Sequence, residues 1–150
     1  MRAIILAVLA ATVPCGADAA ATSTATVQYR TAAEVAAARA TGNTGGPVMN
    51  DSDFRVMAVR RDKVGESEVH TNETDIFFVV DGKAIIVVGG EIVGGRETAP
   101  GELRGIGVKG GTDYPLEPGI VLTIPRGTPH WIRETTPGFR YFVVKTKAKL

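Results

Sequence analysis

The chain has 150 residues, enough for one domain around a single core and too few for two. Its 17 Lys plus Arg against 16 Asp plus Glu leave a net charge of +1 with no Lys/Arg-rich run, which excludes a nucleic-acid surface built on excess positive charge. A single cysteine and two histidines exclude a disulfide scaffold and any zinc site built from two or more cysteines.

The N-terminus reads as an export signal. Arg2 is followed by an apolar run of 11 residues, Ala3 to Val13, interrupted only by Thr12. Pro14, Cys15 and Gly16 end the run, and Ala17-Asp18-Ala19 supplies a small-x-small cleavage site. The run is well short of the roughly 20 residues that span a bilayer, so no stable membrane insertion is expected after cleavage. A lipid anchor on Cys15 is disfavoured by Pro14 before it. Cleavage after Ala19 also removes Cys15, and a thiol-free mature chain suits an oxidising compartment, here periplasmic or secreted. The expected organisation is a signal peptide over 1–19, a leader with a short helix over 20–52 and a β-domain over 53–150.

Within the leader, Thr31-Ala-Ala-Glu34 has the spacing of a capping box, predicting a helix that runs to about Ala40 and stops at Gly42. Asn43 to Pro47 reads as a turn-rich linker. From Phe54 onward the pattern has period two or consists of short apolar runs bounded by Gly, Pro or Asp-Gly. Strands are expected at Phe54–Arg60, Ser67–His70, Asp75–Val80, Lys83–Val88, Gly105–Val108, Ile120–Ile124, His130–Arg133 and Phe139–Lys145. Asp81-Gly82 between two β-branched runs predicts a tight hairpin. Many short strands at this spacing imply an all-β sandwich or barrel. The stretch from Gly89 to Pro118 carries nine glycines and scattered charges, and is long for a plain connection.

The two histidines fall in segments that resemble the two motifs of the cupin superfamily. Gly119, Pro125, Gly127 and His130 meet the second motif: Gly, five residues, Pro, one residue, Gly, two residues, His. Its closing Asn is replaced by Glu134. In the first motif, anchoring on Gly82 puts Asp75 at the acidic position and His70 at the second His, while Glu68 replaces the first His. The resemblance covers roughly Phe54 to Val144. It implies a small cupin-type β-barrel (a double-stranded β-helix, or jelly roll). It also implies one divalent metal inside the barrel, held by Glu68, His70, Asp75 and His130, and a dioxygenase, isomerase, lyase or decarboxylase acting on a small molecule. A binding module that captures a small ligand without turnover, or a barrel serving only as a scaffold, are the rival readings. Cupins commonly pair edge to edge, which implies a homodimer, with the strand over Tyr141–Val144 as the candidate edge.

The residue chemistry points the same way. Glu68 and His70 are two apart, so a strand aims both at one face. Two carboxylates and two imidazoles suit Zn, Mn, Fe, Ni or Co, and the absence of a thiolate argues against Cu(I). Several readings stay open. Glu68 could ligate, pair with Arg60 or Arg61, or face solvent. Asp75 could instead bond turn amides at its strand start, and a shifted register would bring in Asn72 and Glu73. Glu73 or Glu68, if not coordinating, is the candidate proton shuttle. Arg96 and Arg104 are candidates for binding a substrate carboxylate, against a plain reading as solvated loop charges. Of each pair Phe77/Phe78 and Tyr141/Phe142, only one member can face the interior, and Trp131 should point away from His130. No phosphate loop, dinucleotide fingerprint or serine nucleophile elbow is present.

Overall fold

The structure, a computed structural model, describes residues 26–39 and 45–147. The expected signal peptide, Cys15, the start of the leader and the helix stop at Gly42 lie outside them. The helix α1 spans Ala32–Arg39. The capping box closes both ways: the Thr31 N–H donates to Glu34 Oε2 at 2.7 Å, and the Glu34 N–H donates to Thr31 Oγ1 at 3.3 Å. These bonds hold the Glu34 carboxyl below its ordinary range. The helix buries none of its residues, and its Arg39 guanidinium lies 4.6 Å from the centre of the Phe142 ring. Among the described residues no helix is long and apolar enough to cross a membrane.

Thirteen strands follow among the described residues, all paired antiparallel. They are β1 Gly46–Asn50, β2 Phe54–Arg61, β3 Ser67–His70, β4 Glu73–Asp81, β5 Ala84–Val88, β6 Glu91–Val93 and β7 Arg96–Ala99. Then come β8 Glu102–Gly105, β9 Gly107–Lys109, β10 Thr112–Leu116, β11 Val121–Ile124, β12 His130–Thr135 and β13 Phe139–Lys147. One sheet has the order β1-β2-β13-β4-β11, a second the order β10-β5-β12-β3-β8-β7, and β6 pairs with β9. The expected all-β barrel is therefore the observed fold.

Two differences from the expected elements have local causes. The linker ending at Pro47 contains the start of β1, and the stretch from 89 to 118 contains β6 to β10. Both Pro47 in β1 and Pro115 in β10 stand on edge strands, where a missing N–H costs no ladder bond, so proline there hides a strand rather than excluding it. The single strand expected over Gly105–Val108 is instead the end of β8 and the start of β9. The chain changes partner at Gly105, where an added Cβ would meet the Val93 carbonyl at 2.5 Å and Ser67 Oγ at 2.9 Å. The Ile106 N–H then donates to the Val93 carbonyl, starting the pairing with β6.

The Asp81-Gly82 turn joins β4 to β5, with Gly82 at φ +77° against Phe139 and Thr136. Strand β13 sits between β2 and β4, hydrogen-bonded on both sides, so Tyr141–Val144 is interior to its sheet and offers no free edge for a partner. The core between the sheets is built from Val59, Phe77, Ile86, Leu116, Ile124, Phe139 and Tyr141. Phe77 and Tyr141 are buried and stack at 4.9 Å between centres, while Phe78 faces outward, as alternation requires. Trp131 donates from Nε1 to the Gly65 carbonyl at 3.0 Å and rests its ring on Gly107.

Candidate metal centre

Register brings the histidines together. On β3, Glu68 and His70 share one face; across the ladder, His130 of β12 is the direct partner of Glu68. On the other side of β3, β8 places Arg104 opposite Glu68 and Glu102 opposite His70. Two cross-strand pairs on one face, separated by Val69 and Leu103, thus become two ion pairs: Arg104 to Glu68 Oε1, and Glu102 to His70 at 2.8 Å. From the facing sheet, Asp75 of β4 and Lys145 of β13, again direct register partners, close the group.

Hydrogen bonds set which ring nitrogen is free. His70 Nδ1 lies 2.9 and 2.8 Å from the two Glu102 carboxylate oxygens, and His130 Nδ1 lies 3.1 Å from the Thr128 carbonyl oxygen. Both partners are pure acceptors, so each Nδ1 carries its hydrogen and each neutral ring keeps its lone pair on Nε2. Both Nε2 atoms are buried without a hydrogen-bond partner. They face Glu68 Oε2 at 3.2 Å from His70 and 3.8 Å from His130. Glu68, His70 and His130 each offer one ligand atom, all within 4.8 Å of one another. Two orphaned imidazole nitrogens converging on a carboxylate oxygen fit a divalent metal, since bonds of about 2.1 Å place neighbouring ligands roughly 3 Å apart.

Electrostatics keep the set ready for a cation. Burial raises the Glu68 carboxyl, but the His70 contact, the His130 field and the Arg104 and Arg61 guanidiniums outweigh it and hold the group far below its usual range. Burial lowers His70, yet its contact with Glu68 and the nearby Asp75 leave it raised above an ordinary histidine. Burial dominates at His130, which is lowered. Glu68 is therefore anionic and His130 neutral near neutral pH, and only the His70 ring competes for a proton there.

The other expected site residues are placed as follows. Asp75 is 2 % exposed, with both carboxylate oxygens 2.7 Å from Lys145 Nζ; its Oδ2 stands 3.5 Å from His70 Nε2 and 3.8 Å from His130 Nε2. Arg104 lines the cavity, but its guanidinium is engaged with Glu68 and Glu102. Glu73 has a carboxylate oxygen within 4.8 Å of a His70 ring nitrogen and of Glu102, but it is bonded to Arg55 at 2.6 Å in a neighbouring depression with Asn72 and does not line the cavity. Arg96 pairs with the exposed Glu66 at 2.7 Å, also off the cavity.

Reading the sequence did not single out Glu102 or Lys145 for this site, whereas Arg61, an expected partner of Glu68, stands 3.8 Å from Glu68 Oε1. The Arg61 Nε–H donates to Tyr141 Oη at 2.9 Å, and burial pushes the Tyr141 phenol up, so it keeps its proton. A cavity of about 360 Å³ opens beside these groups, walled on its apolar side by Met57, Val59, Phe77, Ile132 and Val143. It has the size of a small-molecule pocket.

The comparisons with known proteins agree with this architecture. Similar solved structures include KdgF from a Halomonas species, 19 % identical over 69 % of this chain and 78 % of that one, with a TM-score of 0.50. Another is the protein BH2720 from Bacillus halodurans, 12 % identical over 81 % of this chain and 83 % of that one, with a TM-score of 0.56. At such identities the likeness is one of fold. No curated protein matches the chain. The description of the cupin family matches residues 43–149, which include both histidines and every strand from β1 to β13. The chain belongs to the cupin family.

Proposed function

We propose that the chain holds one divalent transition metal at His70, His130 and Glu68 and acts there on a small molecule admitted by the cavity. The observation that carries this reading is the pair of buried, unpartnered Nε2 atoms aimed at one carboxylate oxygen. An apolar core has no use for two orphaned nitrogens, and leaving them so costs stability unless something binds them. The donor set, two imidazoles and a carboxylate, suits Zn, Mn, Fe or Ni. Bound there, such a metal supplies Lewis-acid polarisation of a substrate oxygen.

The chain's own residues would do the rest. Glu102 and the Thr128 carbonyl orient the two rings, and Arg104 fixes Glu68 Oε1 so that Oε2 faces the histidines. The Tyr141 hydroxyl accepts from Arg61 and keeps its own hydrogen to donate into the cavity. The reaction class is that of a dioxygenase, isomerase or lyase. Turnover of a small oxygen-rich substrate separates this reading from a binder that is merely stabilised by its ligand. Export to the periplasm or beyond is part of the same proposal, supported by Arg2, the apolar run and Ala17-Asp18-Ala19.

The proposal is tested by metal titration against pH. Because His70 alone is raised and must lose its proton, binding is expected to release about one proton near neutrality. The apparent Kd should weaken about tenfold per pH unit below the His70 titration, which sits above the ordinary value of about 6.5, and level off above it. A Kd independent of pH across that window would contradict the assignment of His70 Nε2. Replacing Glu102 by alanine should weaken metal binding about 10- to 100-fold without abolishing it, because the ring loses its orienting acceptor and keeps Nε2. Isothermal titration with Zn(II) or Mn(II) reads both effects.

A further inference from the structure

We propose that Lys145 withholds Asp75 from the metal, so that the protein ligands are His70, His130 and a one-oxygen Glu68. This rests on the metal reading above and concerns which side chains coordinate. Asp75 stands in the sequence where the resemblance puts a ligand carboxylate, and its Oδ2 comes within 3.5 and 3.8 Å of the two Nε2 atoms. Proximity does not decide the matter, because its oxygens are not free. The Lys145 ammonium donates to both Oδ1 and Oδ2 at 2.7 Å, and the pair is buried at 2 % and 6 % exposure.

The contrast with the other donors is direct. His70 Nε2 and His130 Nε2 have no hydrogen-bond partner, and Glu68 commits Oε1 to Arg104 while Oε2 faces the rings. Asp75 alone has neither oxygen uncommitted. Asp75 and Lys145 are register partners on β4 and β13, so the ladder itself holds them side by side. Drawing Asp75 onto the metal would strand a buried ammonium beside a dication, two uncompensated charges in one low-dielectric pocket. Three protein ligands instead leave the remaining coordination positions facing the cavity for water and substrate.

The experiment loads the full-length protein with Co(II), whose visible spectrum reports the number and kind of ligands. Stoichiometry and Kd are measured alongside. The charge-balanced double variant D75N/K145M is expected to bind one Co(II) per chain, with a spectrum like wild type and a Kd within about threefold. K145M alone frees the carboxylate, and its spectrum should change as Asp75 joins the metal, with binding at least tenfold tighter. D75N alone keeps the shape of the pair; it should bind more weakly, for want of the negative charge, with an unaltered spectrum. A changed spectrum in D75N or in the double variant overturns the inference while leaving the metal site standing. Failure of the wild type to bind Co(II) at all overturns the site itself. Should K145M or the double variant fail to fold, the D75N spectrum alone decides.

Discussion

Replacing His130 by alanine is expected to abolish stoichiometric metal binding while leaving the barrel folded. The ring is 4 % exposed, and its one hydrogen bond runs from Nδ1 to the Thr128 carbonyl, a contact of about 0.5–1.5 kcal/mol. Against that loss, alanine removes a buried nitrogen that has no partner. Folding should therefore survive, since β12 keeps its ladder to β5 through the main chain. Metal affinity should fall by more than about 100-fold, beyond the 10- to 100-fold range of changes behind the ligands. His70→Ala should behave alike. Elemental analysis after loading, with circular dichroism and thermal unfolding on the same samples, checks both halves. Metal retained at one per chain in either variant would place the site elsewhere.

Phe139→Ala is expected to be the most destabilising of the core truncations, by about 3–5 kcal/mol. Phe139 is fully buried where β13 begins, 5.2 Å between ring centres from Tyr141, which in turn stacks on Phe77. It also seals the Asp81-Gly82 turn: a Cβ on Gly82 would lie 2.9 Å from the Phe139 Cα, so the backbone there has no room to collapse into a void. Because β13 is the central strand of its sheet, the loss is shared with β2 and β4. Urea unfolding followed by Trp131 fluorescence measures it. A change below about 1 kcal/mol would show that the interior is loosely packed and that the ring is not part of the core.

Much of this architecture was legible in the residues, and the gaps have physical causes. The edges of β3 at Ser67 and His70 coincide with the expected ones because Gly65 stands just before the strand and a bend follows it at once. Both histidines were found through motif spacing, and Glu68 through its two-residue offset from His70. Between 91 and 116 only the junction of β8 and β9 was legible, as a single strand; β6, β7 and β10 were hidden because they are short, bounded by glycines and, in β7, wholly exposed, leaving no alternation to read. Glu102 was invisible for the same reason, since its role comes from pairing with a strand more than 30 residues away. Lys145 did leave a trace. It falls in step with Tyr141 and Val143 on the inward face of β13, and a lysine in that row needs a buried partner. Only the register of β13 against β4 says that the partner is Asp75. Arg96 and Glu73 are placed off the cavity, where Arg96 on β7 pairs with Glu66 and Glu73 at the start of β4 pairs with Arg55.

The central claim is that His70, His130 and Glu68 hold one metal ion. Elemental analysis of the untagged protein, purified without chelator and again after loading with Zn, Mn, Fe and Ni in turn, tests it most directly. The account predicts close to one metal per chain for at least one of these ions, lost on acidification through the His70 titration. No bound metal under any of these conditions would contradict it.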